Sequence, residues 1–146
     1  MMRLILYGLI LVFLCFAPVQ RLDIAKLEPV EVVTVQNQNG TVYLATDTGA
    51  WGSGADAVAA LQDMRQRTPG VIYLDTAAYL IVASSAVDSI DALRPWLKER
   101  ICLCEGEGID PVEAGELLEI HGQLPLLKSW KSGQKLPQIR DGKIIE

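Results

Sequence analysis

The chain has 146 residues, a formal net charge of −5 and an apolar fraction of 50%. Once an apolar leader is set aside, roughly 120 residues remain, which is enough for one domain with its own core and too few for two. The acidic balance argues against a nucleic-acid-binding protein, because such a protein needs a basic face to neutralise phosphates. We therefore expect a single acidic domain without a nucleic-acid partner.

The N-terminal leader has the composition of a membrane-targeting segment. Residues 4–19 contain no charged side chain and directly follow Arg3. As a helix they rise about 24 Å, slightly less than a ~30 Å hydrocarbon core. Pro18 would directly follow the best candidate cleavage site, which disfavours cleavage there. Lipoprotein processing needs small residues before the cysteine, and large residues precede Cys15. The pattern therefore favours an uncleaved anchor over a signal peptide.

This leader sets the expected domain organisation and location. We predict a membrane anchor or signal segment at 1–20, a polar linker at 21–27 and a single domain at 28–146. Positive charges flank both ends of the apolar segment, so charge alone leaves the orientation open. We expect the domain on the extracytoplasmic face of a membrane, held through residues 4–19, or exported if the leader is cleaved.

The first elements of the domain are predicted as a β-hairpin. Residues 30–36 alternate and are rich in β-branched side chains, and residues 41–45 have the same character. Between them lies a turn that ends in Asn39-Gly40, two residue types that tolerate positive φ. The hairpin is the strongest local signal of the sequence.

A glycine-rich loop and a helix are expected next. The loop spans residues 48–54, and Ser53 followed three residues later by Asp56 is typical of a helix N-cap. Ala57, Val58, Leu61 and Met64 then share one face of the predicted helix. Residues 68–70 (Thr-Pro-Gly) end it.

Buried strands and two further helices follow. Residues 71–74 and 77–83 are continuously apolar and predict buried strands, or one long strand kinked near Asp75. A second helix is expected to begin at Ser85. Pro95 either kinks this helix or lies in the first turn of a new one. Residues 101–104 form a short strand.

The last predicted helix has the strongest start signal. Asp110 stands at the cap with Pro111 at the first helical position, and the helix ends at His121-Gly122. Its core-facing residues are expected to be Val112, Leu117, Leu118 and Ile120. A helical turn or two is expected within 124–130, and a final strand pairing around Asp141-Gly142. The basic segment from Lys128 onward is interpreted as solvated surface, with an anionic membrane or acidic partner left open.

These elements together predict the fold class. We expect an α/β (α+β) domain with a small mixed sheet of about 4–6 strands and 3–4 helices. The β-hairpin comes first, and an N-terminal apolar helix precedes the domain.

Few residues carry recognisable chemistry. Cys102 and Cys104 are two apart on a predicted strand, at or beyond disulfide reach, and a metal pair needs two more ligands. His121 is the only histidine and is interpreted as a helix-end partner. The acidic run is interpreted as a solvated face, since its spacing fits no calcium loop; its members are Glu105, Glu107, Asp110, Glu113, Glu116 and Glu119. We predict no enzyme, no cofactor and no metal site.

The candidate contacts for a partner or ligand are Trp51, Ser53, Asp75 and Thr76. Trp51, if exposed, suits a partner contact, and Ser53 lies in the glycine-rich segment at a helix start, where an anion can bind. Backbone geometry at the strand-to-helix crossing is an alternative reason for these glycines. Asp75 and its neighbour Thr76 lie at the break between two apolar runs. Asp75 is either an ordinary acidic residue of a turn or part of a polar pocket at this break.

The order of several segments resembles a known family. They are Val33-Thr34-Val35-Gln36, Gly52-Ser53-Gly54, Ala57 to Leu61, Pro69, Ile72-Tyr73-Leu74-Asp75, Tyr79 to Val82 and the strand Ile101 to Cys104. This pattern resembles the N-terminal domain of the C subunit of spore germinant receptors, the GerAC-like spore germination lipoproteins, over roughly residues 22–122. The family is lipid-anchored at a cysteine and often has a histidine where Thr76 stands. It also continues into further domains.

The resemblance implies a stand-alone, divergent, membrane-tethered relative of that domain. Its expected role is non-enzymatic: protein interaction with partners in the same bacterial membrane, in assembly or signalling within a spore germination or sporulation complex. Two alternatives stay open. One is a small exported module that binds a ligand or cell-wall component in an apolar pocket lined by Trp51, Tyr73 and Tyr79. The other is a thiol or metal protein that uses Cys102 and Cys104.

Overall fold

A computed structural model describes residues 1–16, 27–120 and 124–145. The described part contains nine strands and four α-helices. The helices are α1 (Met2–Phe16), α2 (Ala57–Arg67), α3 (Ser89–Leu93) and α4 (Pro111–Ile120). The strands are β1 (Leu27–Pro29), β2 (Val32–Gln38), β3 (Thr41–Thr46), β4 (Trp51–Gly54), β5 (Val71–Tyr73), β6 (Tyr79–Val82), β7 (Cys102–Glu105), β8 (Gln138–Arg140) and β9 (Lys143–Ile145).

Seven of these strands form one mixed sheet in the order β4-β3-β2-β6-β7-β8-β9. Strands β2, β6, β7 and β8 are parallel to one another. The antiparallel strands β3 and β4 extend the sheet beyond β2, and the single antiparallel strand β9 extends it beyond β8. The short strands β1 and β5 pair separately, in parallel. The predicted α+β class with an N-terminal helix is confirmed, and the strand count is slightly higher than expected.

Two predicted hairpin turns have the expected backbone. Asn39 and Gly40 have φ angles of 53° and 83° between β2 and β3, and Asp141 and Gly142 have φ angles of 51° and 70° between β8 and β9. A two-residue hairpin loop with both φ angles positive matches the right-handed twist of its strands, and Asn-Gly and Asp-Gly adopt it at low cost. These sequences therefore place both hairpins correctly.

The expected glycine-rich loop is wrong for its second half, because residues 51–54 form the edge strand β4. The side chain that caps α2 is Asp56, whose Oδ1 accepts the Ala59 N–H at 2.7 Å, and Ser53 lies within the strand. The reason is packing: a Cβ on Gly52 or Gly54 would clash with the backbone of α2. Only glycine lets the helix lie this close to the strand.

Other local expectations are met only in part. Strands β5 and β6 are separate, which is one of the two predicted alternatives; a 3₁₀ turn at Leu74–Thr76 divides them, and they belong to different sheets. The expected burial fails for β5, where Val71 is 50% and Tyr73 39% exposed. The helix expected to open at Ser85 begins later, as α3, after a 3₁₀ turn. Pro95 lies in the first turn of a new 3₁₀ segment, one of the two predicted outcomes. Val112 of α4 is 58% exposed, because Ala114 and Leu118 face the sheet instead.

Helices cover the two faces of the sheet unequally. On the first face, α2 and α3 bury one large core, which includes Leu44, Leu61, Leu80, Ile90 and Leu103. On the second face, α4 covers a smaller cluster formed by Val32, Ile81, Cys104, Ala114, Leu118 and Ile139. The smaller cluster lies over the parallel strands, so part of the second face, over β3 and β4, is left more open.

Some predictions fall outside the described residues. They concern the end of the leader (17–20), most of the linker (21–26) and the helix end at His121-Gly122. Helix α1 covers the first part of the leader as expected, and its side chains from Leu4 to Phe13 are exposed. Among the helices of the described residues, none has both the length and the apolar character needed to cross a membrane.

The close approach of α2 to β4 predicts opposite effects for two glycine substitutions. Gly52→Ala places a methyl group against the backbone of Ala60 and Met64, and we expect it to lower the free energy of unfolding by about 2–3 kcal/mol, as overpacking does. Gly115→Ala is the matched control, because its methyl group meets only Val32 Cγ2 at 3.4 Å. In the interior of α4 it is expected to add about 0.5–1 kcal/mol. Urea unfolding measures both, and equal stability of the two variants would contradict the packing.

Candidate functional site: an acidic cavity at the carboxyl ends of the parallel strands

A cavity with a volume of about 850 Å³ lies in the described part of the chain. It lies where β7 and β8 meet the loop before α4, and Ser84, which follows β6, also lines it. Strands β6, β7 and β8 are parallel, so their carboxyl ends share one edge of the sheet. Ligands of open α/β sheets bind at this edge, outside the carboxyl ends of the strands.

The cavity wall comes from three parts of the chain. The first is the end of β7 with the loop of residues 106–110, the second is the first half of α4, and the third is the β8–β9 hairpin. A Cβ on Gly106 would meet the terminal methyl group of Ile109, so this side chain would have to move to accommodate any other residue. Gly108 has a φ of 62°, which favours glycine. The loop therefore turns sharply and delivers α4 to the second face of the sheet.

Acidic side chains dominate the lining. The six acids are Glu105, Glu107, Asp110, Glu113, Glu116 and Asp141, and Arg140 is the one base among the lining residues. Three of them accept hydrogen bonds within the wall. Glu107 accepts from Ser84 Oγ at 2.8 Å, Asp110 from the Val112 N–H at 2.8 Å, and Glu105 from Gln138 Nε2 at 3.4 Å.

The negative charge of this lining is not neutralised within the described residues. The two ion pairs seen there join Arg67 to Asp63 and Arg94 to Asp91, both away from the cavity. The N-terminus of α4 contributes only about half of an elementary positive charge. One arginine and one helix terminus cannot balance six carboxylates, so the cavity suits a cation.

The cavity does not have the arrangement of a metal site. Over the described ranges, no group of three or more His, Cys, Asp or Glu side chains is placed to hold a metal ion. Carboxylates spread over a volume of about 850 Å³ suit an extended organic cation with several amino groups better than a single small ion.

Five of the six residues of the predicted acidic run line this cavity, and Glu119 does not. Glu119 lies near Glu31, where burial and then the negative charges of Glu119 and Asp47 raise the pKa of Glu31. The run is exposed, as the sequence suggested, except that Glu105 is half-buried. Its convergence on one cavity was missed, because Gln138 to Gly142 complete the wall from a part of the chain about 30 residues away.

Two of the predicted contact residues, Trp51 and Ser53, lie together on β4. Trp51 is 48% exposed, and the guanidinium carbon of Arg67 lies 4.3 Å from its ring centroid. The Ser53 N–H donates to Asp63 Oδ2 at 2.9 Å. That hydrogen bond and the contact with Arg67 hold the pKa of Asp63 below its usual value. A smaller cavity of about 240 Å³ adjoins Trp51, and neither cavity is lined by Tyr73 or Tyr79.

The other two predicted contact residues lie elsewhere. Asp75 is exposed in the 3₁₀ turn after β5. Thr76 serves the backbone: its Oγ1 accepts the Val30 N–H at 2.9 Å and lies within hydrogen-bond distance of the carbonyl oxygens of Val30 (2.8 Å) and Tyr73 (2.9 Å). The four predicted contact residues therefore do not form one site. The hydrogen bonds of Thr76 hold the backbone segment that precedes β2.

The cysteines are free and poorly placed for thiol chemistry. Cys104 is fully buried in the cluster under α4, and Cys102 is half-buried beside it on β7. Burial raises the pKa of both thiols, that of Cys104 to about 12. Since the thiolate is the reactive form, these shifts disfavour nucleophilic or metal-binding roles.

Comparison with protein-family models, with curated proteins and with solved structures finds no match to this chain.

The raised pKa of Cys104 predicts a loss of stability at high pH. Below pH 9.0 the thiol is protonated in the folded and the unfolded chain; between pH 9.0 and about 12 only the unfolded chain releases the proton. The folded state then binds more protons, so the free energy of unfolding falls across this window. We expect a smaller fall in Cys104→Ala. Urea unfolding at several pH values measures this, with Cys15→Ala as the exposed-thiol control. Equal pH slopes in wild type and Cys104→Ala would rule out this contribution.

Proposed function

We propose that this chain is a non-enzymatic interaction domain tethered to a membrane by α1. The observation that carries the proposal is the exposure of an apolar helix. Each side chain from Leu4 to Phe13 is exposed, and apart from Arg3 the helix has no charged residue. Full burial of one large apolar side chain is worth about 1.5–3 kcal/mol. A helix with many such side chains in water is therefore stabilised by entering a lipid phase.

The folded domain has a core of its own beside this helix. The residues of both buried clusters lie between Val30 and Ile139, and α1 contributes none among the described residues. The core does not need α1, which leaves the helix free to insert into a bilayer while the domain stays in water. This supports a domain that is anchored to a membrane through its N-terminal helix.

A spore germination or sporulation complex is the setting that we propose for this domain. The support is the resemblance of residues 22–122 to the first domain of GerAC-like proteins, in which a strand, a glycine-rich step, a helix and an Ile-Tyr-Leu-Asp segment occur in the same order. Partners are then expected to be proteins of the same membrane.

The tether is tested in membranes of sporulating cells. We expect the wild-type chain to stay in the membrane fraction after an alkaline wash, and crosslinking in those membranes to attach it to receptor subunits. Leu6→Lys/Ile10→Lys places two charges on the apolar helix, each costing about 2.5–3.5 kcal/mol in a bilayer, and is expected to release the chain.

The matched control is Val112→Lys, which changes an equally exposed apolar residue on α4 and leaves α1 intact. We expect it to stay in the membrane fraction. Recovery of the wild type in the soluble fraction would remove the tether from the proposal. Retention in the membrane without any attached receptor subunit would remove only the germination setting.

A second candidate function is the binding of a cationic ligand by an exported module. The acidic cavity favours it, because its volume of about 850 Å³ is within the range of small-molecule sites and its carboxylates lack ion-pair partners among the described residues. The chemical class that fits is a linear polyamine or a peptide segment with several lysines.

Spermidine titration tests the cavity. We expect saturable binding that weakens as salt rises, because screening reduces attraction between partly exposed charges. Glu113→Gln/Glu116→Gln removes two charges from the α4 wall and is expected to weaken binding about tenfold, if each charge contributes a typical 0.2–1 kcal/mol. Glu119→Gln is the control on the same helix, outside the cavity. If all three proteins bind equally, the cavity is not the site.

A further inference from the structure

The half of the second sheet face formed by β2, β3 and β4 is a distinct surface. The pairing register places Gln36, Tyr43 and Ser53 in one row across the strands, and Thr34, Ala45 and Trp51 in the next. Gly52 and Gly54 point towards α2 on the first face. Because side chains alternate along a strand, the Cβ atoms of Trp51 and Ser53 lie on the second face. The Trp51 ring also contacts Arg67, at the end of α2.

Helix α4 leaves much of this half-face open. Its cluster lies over the parallel strands, on Val32, Ile81, Cys104 and Ile139. In the open part Tyr43 remains 39% exposed and Trp51 48%. We call the surface made by Gln36, Gln38, Thr41, Tyr43, Trp51 and Ser53 the aromatic face.

The aromatic face contrasts with the rest of the protein in charge. Asp, Glu, Lys and Arg make up 21% of the chain, yet β2, β3 and β4 contain none of them. Its side chains are two aromatic rings, two amides and two hydroxyls. Such a surface offers stacking and neutral hydrogen bonds without ionic attraction, so its complement is a neutral ligand rich in hydrogen-bonding groups.

The two rings are close enough to act together. Tyr43 lies opposite Ser53, and Trp51 is two residues from Ser53 on the same strand. Diagonal neighbours of this kind are about 7–8 Å apart, within reach of aromatic side chains. The guanidinium carbon of Arg67 lies 4.3 Å from the centroid of the Trp51 ring, and Arg67 Nε lies 2.8 Å from Asp63 Oδ2. One face of the indole ring is therefore already held in position before a ligand binds. A preordered ring loses less entropy when a ligand binds.

We infer that the aromatic face binds a neutral glycan chain. The non-polar C–H faces of pyranose rings pack on aromatic rings, and their hydroxyl and acetamido groups exchange hydrogen bonds with amide and hydroxyl side chains. Gln36, Ser53 and Thr41 provide such groups beside the rings. This surface is separate from the acidic cavity, and the inference does not depend on the membrane tether.

An extended peptide fits this surface less well. A peptide that adds to a sheet needs a free strand edge for its backbone hydrogen bonds. At the β4 edge, the Ser53 N–H is already occupied by Asp63 Oδ2 at 2.9 Å. The flat of the face, with its rings and amides, remains available, and it suits rings that stack.

The test measures binding of the neutral N-acetylglucosamine hexamer to the full-length protein in nanodiscs, which keeps sugar detergents away from the face. We expect saturable binding that changes little between low and high salt, because both the ligand and the six side chains of the aromatic face are uncharged. Trp51→Ala and Tyr43→Ala are each expected to raise Kd about tenfold, the scale of one lost aromatic contact. Trp51→Phe keeps a ring and is expected to retain most of the affinity.

Tyr73→Ala is the matched control, since Tyr73 is 39% exposed like Tyr43 but lies on β5, outside the main sheet. We expect Tyr73→Ala to bind the hexamer with unchanged affinity. Thermal unfolding shows whether each variant is folded. If Trp51→Ala is unfolded, the affinities of Tyr43→Ala and Gln36→Ala are used to test the inference instead. Absence of saturable hexamer binding by the wild type overturns the inference. So does equal affinity in wild type and Tyr43→Ala, or binding of an uncharged peptide at this face in place of the glycan.

Discussion

The arrangement of the sheet depends on β2, a strand that is buried on both of its faces and joins the antiparallel to the parallel strands. Val33 and Val35 point into the larger core and Val32 and Thr34 into the other side, and all four are at most 4% exposed. The strand pairs antiparallel with β3 and parallel with β6. Two side-chain hydrogen bonds fix its start: Asp47 accepts the Val32 N–H at 3.3 Å, and Thr76 accepts the Val30 N–H at 2.9 Å. A one-residue slip would exchange the two buried sets.

The two halves that meet at β2 have different surfaces because their strands pair differently. Parallel strands need crossover connections, which place helices on the faces of the sheet and leave concave space at the carboxyl edge. The acidic cavity lies there, between β7, α4 and the last hairpin. Antiparallel strands joined by short turns leave one face open, and β3 and β4 present Tyr43 and Trp51 on it. One chain thus carries a charged concave surface and a neutral flat one.

Local sequence signals predicted the elements that depend on local chemistry. Asn39-Gly40 marked the first hairpin, and Asp110-Pro111 marked the start of α4, because turn and cap conformations depend on a few adjacent residues. These signals failed for β4, because glycine is unfavourable in strands. The glycines are explained by close packing against residues of α2 that lie 5 to 12 positions further along the chain. The acidic cavity could not be predicted from the sequence for a similar reason, because β7 and β8 become neighbours only when the sheet forms.

Most of the groups with shifted pKa values lie together, outside the acidic cavity. Burial raises the pKa values of Glu31, Tyr79, Cys102 and Cys104, and the charges of Cys102 and Glu31 add to the shift of Tyr79. Asp63 lies apart from these four, and the Ser53 N–H lowers its pKa. None of these five residues lines the acidic cavity. What the cavity and the aromatic face offer is charge and shape that are complementary to a ligand, which is the requirement for recognition.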